Sequence, residues 1–116
     1  MPTWDDVVEI GLALPGTEES TSYGTPALKV RGKTFVRVRD ARDGVIVVMC
    51  SLEEKEALLQ TNNPALFTIS HYDGYGAILA KLGLIDMSLL RDLLEEAWWQ
   101  KAPSKIRAQK PALGTG

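Results

Sequence analysis

Residues 25–51 read TPALKVRGKTFVRVRDARDGVIVVMCS and contain the pattern from which the fold is predicted. Two turns containing glycine separate three runs of alternating or uniformly apolar side chains, a pattern that predicts three consecutive antiparallel strands. The first turn is predicted at Gly32 and Lys33, and the second over residues 40–44. The third strand, residues 45–50, is apolar throughout, which predicts that both of its faces are covered.

The sequence before this stretch predicts one amphipathic helix. Thr3 is a suitable N-cap with Asp6 three residues later, and apolar side chains then recur on one side. The helix should end near Leu14, because the following proline disfavours helical geometry in the residue before it. Residues 15–24 are polar and are interpreted as a connection.

The sequence after the three strands predicts two further helices and one or two strands. Ser51 begins a short helix, short strands are predicted at residues 67–69 and 75–82, and Asp86 caps a long third helix. That last helix carries a continuous apolar stripe. The stripe consists of Leu89, Leu90, Leu93, Leu94, Ala97 and Trp98.

The predicted order is therefore α-β-β-β-α-β(β)-α. Antiparallel hairpins with helices gathered on one face make an α+β two-layer sandwich. We expect one domain over residues 1–102 and a basic, partly ordered tail over residues 103–116. The predicted core consists of Val8, Leu28, Val36, Val38, Ile46, Val48, Leu93 and Trp98.

Composition predicts an ordinary cytoplasmic domain. Hydrophobic residues make up 45% and charged residues 24% of 116 residues, which is typical of one globular domain. The single cysteine, Cys50, excludes an internal disulfide and fits a reducing compartment. The first residues lack the pattern of a secretory signal, and no apolar run is long enough for a membrane span. We expect a monomer or a weak homodimer, with Trp99 at an edge or a dimer contact.

The net charge of −2 conceals a strong asymmetry. Residues 1–28 contain five acids and no base, whereas residues 101–116 contain four bases and no acid. The central stretch contains six of the thirteen basic residues: Lys29, Arg31, Lys33, Arg37, Arg39 and Arg42. Such clusters are either solvated faces or an anion-binding surface, which local charge can create even on an acidic protein.

Residues that could perform catalysis or bind a metal are few. A nucleophile pair of Cys50 and His71 would need an activating and orienting third group, and no motif supplies one. One histidine and one cysteine cannot make a closed zinc site, and the RGKT sequence lacks the spacing of a phosphate loop. The sequence therefore predicts no catalytic residues, no metal site and no cofactor.

The functional signal that comes from the residues themselves is a basic strand face. Phe35, Arg37 and Arg39 alternate on one side of the second strand, and Lys29 and Arg31 lie on the neighbouring strand. Cations neutralise phosphates, and an exposed aromatic ring can pack on a sugar or a base. In the alternative interpretation, Phe35 belongs to the core and the arginines extend past it.

Three segments resemble the MmcQ/YjbR family: LPGTEES, TPALKVRGKTFVRV and ISHYDGYGAILAKL. The resemblance covers roughly residues 3–107. The chain departs from several members, which carry a tryptophan, an Asp-Gly turn and a Leu-Pro pair where it has Tyr75, Gly76 and residues 84–86. The resemblance implies a frataxin-like sandwich and binding of double-stranded DNA through a sheet and hairpin surface. On matching positions it places Lys29, Lys33 and Phe35 at that surface. The basic strand face described above adds Arg31, Arg37 and Arg39 to this predicted DNA-binding surface.

Two functions of different classes follow. The first is a non-enzymatic domain that binds double-stranded DNA through the basic face. The second is a module for protein interaction or for binding a small ligand or metal, through the acidic first helix or an apolar groove. A concentrated positive face in the folded protein favours the first, and neutralisation of those bases by neighbouring carboxylates favours the second.

Overall fold

Six antiparallel strands and the helices packed on them form the fold, in a computed structural model that describes residues 1–40 and 42–109. The helices are α1 (Trp4–Leu12), α2 (Leu52–Gln60), α3 (Met87–Lys101) and α4 (Ser104–Arg107). The strands are β1 (Thr17–Ser22), β2 (Thr25–Val30), β3 (Lys33–Asp40), β4 (Val45–Met49), β5 (Leu66–Phe67) and β6 (Ala77–Lys81). A 3-10 helix, Ser70–Tyr72, lies between β5 and β6. The sheet order is β1-β2-β3-β4-β6-β5, which confirms the α+β class.

The three predicted helix starts are confirmed by their caps. At α1 the Asp6 amide donates to the Thr3 hydroxyl at 3.3 Å, and the Thr3 amide donates to the Asp6 carboxylate at 2.8 Å. Ser51 and Asp86 cap α2 and α3, each by accepting a backbone N–H with its side-chain oxygen. These bonds satisfy amides that have no partner within the helix.

The helix-facing side of the sheet, here called the inner face, holds the main core. Leu28, Val36, Val48 and Ile78 form one row across four strands of this face. Trp98 of α3 is fully buried against it and donates its indole N–H to the Pro15 carbonyl at 2.8 Å. All eight residues predicted for the core are buried, except Val8, which is partly buried and packs against it.

The opposite side, here called the outer face, is defined by one row across all six strands. In sheet order the row is Ser20, Ala27, Arg37, Val47, Leu79 and Phe67. Over β4 and β6 this face is apolar, and the buried Tyr72 of the 3-10 helix covers it. β4 is therefore buried on both faces, as predicted. Over β1, β2 and β3 the outer face carries polar side chains.

The interpretation of residues 15–24 as a connection was wrong, because they include strand β1. The strand reads TEESTS, so it consists only of threonine, glutamate and serine, and none of its residues is fully buried. β1 is an edge strand that pairs with β2 alone, so backbone pairing rather than an apolar pattern specifies it.

The placement of Phe35 on the basic face was also wrong, because β3 contains a bulge. Leu28 pairs with Val36 and Lys29 pairs with Thr34, so one step along β2 matches two steps along β3. The extra residue, Phe35, therefore leaves the alternation and turns into the inner core, where it is fully buried. A bulge can redirect a side chain in this way without breaking the sheet.

The turn between β2 and β3 is also shifted by one residue from its prediction. It consists of Arg31 and Gly32, both with positive φ, and Lys33 begins β3. Positive φ at both central residues matches the twist of the flanking strands in a two-residue hairpin.

The first part of the predicted tail packs on the domain. α4 lies within it, and the side chain of Ile106 is buried close to Gly16. Residues 110–116, which complete the predicted tail, lie outside the described residues.

Candidate functional site

A cleft of about 460 Å³, here called the outer cleft, lies on the polar part of the outer face. Its lining combines hydroxyls, aromatic rings, two cations and an apolar floor. The lining residues are Ser22, Tyr23, Thr34, Arg37, Val47, Met49, His71, Tyr72, Tyr75 and Lys101. They come from two hairpins, from the loop before β6 and from the end of α3, so the folded sheet is what brings them together.

Arg37 is the central cation of this cleft. It is half-buried, and its Nη2 donates to the Tyr72 hydroxyl at 2.7 Å while its Nη1 donates to the Val38 carbonyl at 3.4 Å. The ring of Tyr23 lies against the guanidinium, with 5.1 Å between Cζ and the ring centroid. No carboxylate in residues 1–40 and 42–109 forms an ion pair with it. A guanidinium has five N–H groups, so three of them have no hydrogen-bond partner within these residues.

The loop that carries the cleft's other aromatic residues is held by a buried lysine. Lys55 of α2 is 5% exposed, and its ammonium donates to the carbonyls of Tyr72 at 2.5 Å and Tyr75 at 3.0 Å. The Tyr72 ring contacts His71 edge-on at 5.2 Å and Tyr75 at 5.8 Å between centroids. Lys55 was missed by the sequence reasoning. The feature of the sequence that could have indicated a buried Lys55 is its position on the apolar side of α2, three residues before Leu58 and four before Leu59.

Two exposed side chains of this region stand at strained turn positions. Tyr23 has φ +53° and Arg31 has φ +50°, each followed by a glycine with positive φ. Asparagine or glycine suits the first position of such turns better, because a Cβ opposes left-handed backbone geometry. The Tyr23 side chain is 89% exposed and gains little from burial. Backbone strain that packing does not compensate is typical of functional positions.

The other predicted site residues of β2 and its turn are on or near the outer face. Lys29 is half-buried and lies directly opposite Glu18 of β1 and Thr34 of β3. Arg31 and Lys33 are exposed at the hairpin turn. These three cations are therefore spread over a strand and a turn, and one of them faces a carboxylate.

Arg39, by contrast, is already neutralised. It is the extra residue of a second bulge in β3, because Val38 pairs with Ile46 and Asp40 pairs with Val45. Its Nη2 lies 2.7 Å from the Asp43 carboxylate. Burial on its own raises the pKa of Asp43. The hydrogen bonds from Arg39 and from the Val45 amide outweigh that effect, so the pKa lies below its ordinary value.

Of the six predicted site residues, the structure places one, Arg37, in the outer cleft. Phe35 lies in the core, and Arg39 forms an ion pair outside the cleft lining. Arg42, another base of the central stretch, lies 3.5 Å from the Asp40 carboxylate. The basic residues therefore do not form one uniform positive face.

Cys50 lies in an environment that disfavours a nucleophile. It is buried, and burial together with the Glu54 charge raises the pKa of its thiol to about 11, although Lys55 acts in the opposite direction. The thiolate is the reactive form of cysteine, and this site suppresses it. His71 is exposed in the wall of the outer cleft.

A second depression, of about 520 Å³, lies between the start of α2 and the end of α3. Its lining includes Glu53, Glu54, Glu96 and the partly exposed Trp99, whose carbonyl accepts a 2.7 Å hydrogen bond from Arg107. Burial, and secondarily the Glu96 charge, raises the pKa of Glu54. This groove is acidic and partly occupied by the stacked Arg107 side chain.

Two negative observations concern the described part of the chain alone. No group of three or more histidine, cysteine or carboxylate side chains is arranged there to hold a metal ion. The helices among those residues are all too short or too polar to cross a membrane. On the predicted acidic helix α1, Asp6 is engaged in the N-terminal cap.

Comparison with known proteins shows which family and which solved structure the chain resembles. The family model described as YjbR matches residues 12–100. Proteins of Mycobacterium bovis and Mycobacterium tuberculosis, both described as uncharacterized, are 32% identical over 120 aligned positions, covering 91% of this chain and 93% of theirs. The crystal structure of a Deinococcus radiodurans protein with the family-model domain DUF419 matches with a TM-score of 0.76 and 19% identity. That match covers 94% of this chain and 88% of the other, and supports the fold. The chain belongs to the YjbR family, as the sequence resemblance predicted.

Proposed function

We propose that this protein is a non-enzymatic DNA-binding domain whose contact surface is the outer cleft and the adjoining β2–β3 turn. The observation that supports this most is the Arg37 guanidinium, which lies between tyrosine rings without a carboxylate partner in the described residues. Cations with spare donors hydrogen-bond phosphate oxygens, and neighbouring rings contact sugar or base.

The cations available for phosphate contact include three of those that the sequence indicated, with Lys101 in addition. Arg31, Lys33, Arg37 and Lys101 have no ion pair within the described residues, whereas Arg39 is paired with Asp43. With three to four phosphate contacts, the slope of log affinity against log salt concentration for a duplex is about −3 to −4. The net charge of −2 opposes binding, so we expect micromolar affinity at low salt.

A comparison of two arginines of the same strand tests the proposal. Fluorescence anisotropy with a labelled 20-nucleotide DNA, in duplex and single-stranded form, measures affinity from about 50 to 200 mM salt. Arg37→Ala should weaken binding about tenfold and flatten the salt slope by about one unit. Arg39→Ala is the matched control, since its charge is already neutralised by Asp43, and it should change affinity less than about twofold.

The outcomes that contradict the proposal are specific. Equal losses from Arg37→Ala and Arg39→Ala would mean that only general charge matters. If wild-type protein binds neither form of DNA at about 50 mM salt, the proposal fails. Circular dichroism and thermal unfolding of each variant exclude loss of fold as the cause.

Binding of a small ligand is the second candidate function, and the size of the outer cleft favours it. A volume of about 460 Å³ lies in the range of small-molecule sites. The chemistry of the lining fits an aromatic anion, because Arg37 and Lys101 supply charge and Tyr23 and Tyr75 supply rings. Isothermal titration with a mononucleotide tests this. Saturable heat without any affinity for DNA polymers would favour the small-ligand function.

A further inference from the structure

We infer that the outer cleft receives one unpaired nucleobase, so that the protein prefers single-stranded to duplex DNA. This rests on the proposed function and specifies its ligand. A duplex keeps its bases stacked and presents only their edges in the grooves, whereas a single strand can place the face of a base against a protein ring.

The lining of the outer cleft suits a single base. Its floor includes the apolar side chains of Val47 and Met49, and its polar groups include the Thr34 hydroxyl and the Arg37 guanidinium. A nucleobase has two apolar faces and a polar edge, so it requires both kinds of surface. The volume of about 460 Å³ is large enough for one nucleobase.

Aromatic rings border the cleft where a base would enter. Tyr23 is 89% exposed and Tyr75 is 50% exposed, while Tyr72 between them is buried and fixed. The contact between the Tyr23 ring and the Arg37 guanidinium demonstrates that a planar ring fits against this cation. Exposed tyrosines beside a cation are the usual surface on which unpaired bases stack.

The backbone at Tyr23 gives independent support. At φ +53° the tyrosine occupies a position where asparagine would be less strained. Because the ring is exposed, its burial offsets little of that strain. In the described residues the ring contacts the Arg37 guanidinium, and at an exposed site such a contact stabilises the fold only slightly. A base stacked on the exposed ring would add to that contact and would account for a tyrosine at this turn.

Tyr23→Asn is the decisive variant, since it separates folding from binding. Asparagine tolerates positive φ, so the thermal midpoint should stay unchanged or rise. Loss of one base stack should weaken single-strand binding about 5- to 150-fold. Leu84→Ala removes another exposed apolar side chain that does not line the outer cleft, and serves as the control with unchanged affinity.

The assay is fluorescence anisotropy with a labelled 12-nucleotide thymidine strand and a labelled hairpin duplex at equal salt. Tighter binding of the single strand, together with its selective loss in Tyr23→Asn, is the expected result. Equal affinity for both DNAs, or an unchanged single-strand affinity in Tyr23→Asn, would overturn the inference and leave the proposed DNA-binding function standing. Absence of binding to either DNA would overturn both.

Discussion

Replacing Phe35 by alanine tests the consequence of the first bulge in β3. The ring is fully buried in the inner core, close to α1: a methyl group at Gly11 would lie 3.8 Å from its Cζ. Truncation of a buried phenylalanine to alanine costs about 3–5 kcal/mol, from lost transfer free energy and the cavity left behind. That is a large fraction of the roughly 5–15 kcal/mol by which a domain is stable.

The expected change in melting temperature follows from the size of the chain. An unfolding entropy of about 2.1 cal/mol/K per residue gives about 0.24 kcal/mol/K for 116 residues. A loss of 3–5 kcal/mol then lowers the melting temperature by about 12–20 °C. Thermal unfolding and urea unfolding, both followed by circular dichroism, measure this loss in two independent ways.

Thr34→Ala is the matched control, because Thr34 precedes Phe35 but lies half-buried in the wall of the outer cleft. It should cost less than about 1 kcal/mol. A loss below about 1 kcal/mol for Phe35→Ala would refute the bulge argument, since an exposed ring contributes little to stability. In the folded Phe35→Leu variant, DNA affinity should equal that of wild type. A specific loss of DNA affinity in the Phe35→Leu variant would show that Phe35 belongs to the binding surface.

Three further predictions concern ionisable groups that are buried or partly buried. Lys55→Met removes two hydrogen bonds to the loop that borders the outer cleft, so amide hydrogen exchange in residues 72–76 should accelerate roughly tenfold while exchange in α1 stays constant. The pKa of Cys50 is raised to about 11, so ionisation of this thiol in the unfolded chain should make the free energy of unfolding fall between about pH 9 and pH 11. Urea unfolding at several pH values should detect this fall, and Cys50→Ala should lack it. The pKa of Glu54 is raised by burial and then by the Glu96 charge. Glu96→Gln should therefore lower it in an NMR titration without abolishing the shift, and an unchanged pKa would exclude the charge effect.

The features that the sequence predicts well are those coded by neighbouring residues. The N-caps at Thr3, Ser51 and Asp86 and the apolar strand β4 were all found at their predicted places. A cap depends on a side chain and an amide three residues away, so local sequence is sufficient. The same holds for the apolar stripe of α3, which is buried except for the partly buried Leu89.

The features that the sequence does not predict depend on distant partners. β1 has no apolar alternation, because its place is set by pairing with β2. The hydroxyl that holds Arg37 belongs to Tyr72, 35 residues later in the chain. The outer cleft likewise requires Tyr23 and Lys101 to meet through the fold. The periodicity of apolar residues predicts which face of an element is buried, but it does not predict which polar groups come into contact in the fold.

The two bulges of β3 explain why a face read from simple alternation was misleading. Alternation puts Phe35, Arg37 and Arg39 on one side, as three parts of a single basic surface. The first bulge turns Phe35 into the core, and the second makes Arg39 the unpaired extra residue, where it binds Asp43. Arg37, between the bulges, keeps its place in the outer row and reaches the cleft. A flat basic plate is therefore not available for duplex phosphates. The proposed DNA contact therefore rests on one arginine among aromatic rings, assisted by cations at its border, and we assign one base to that site.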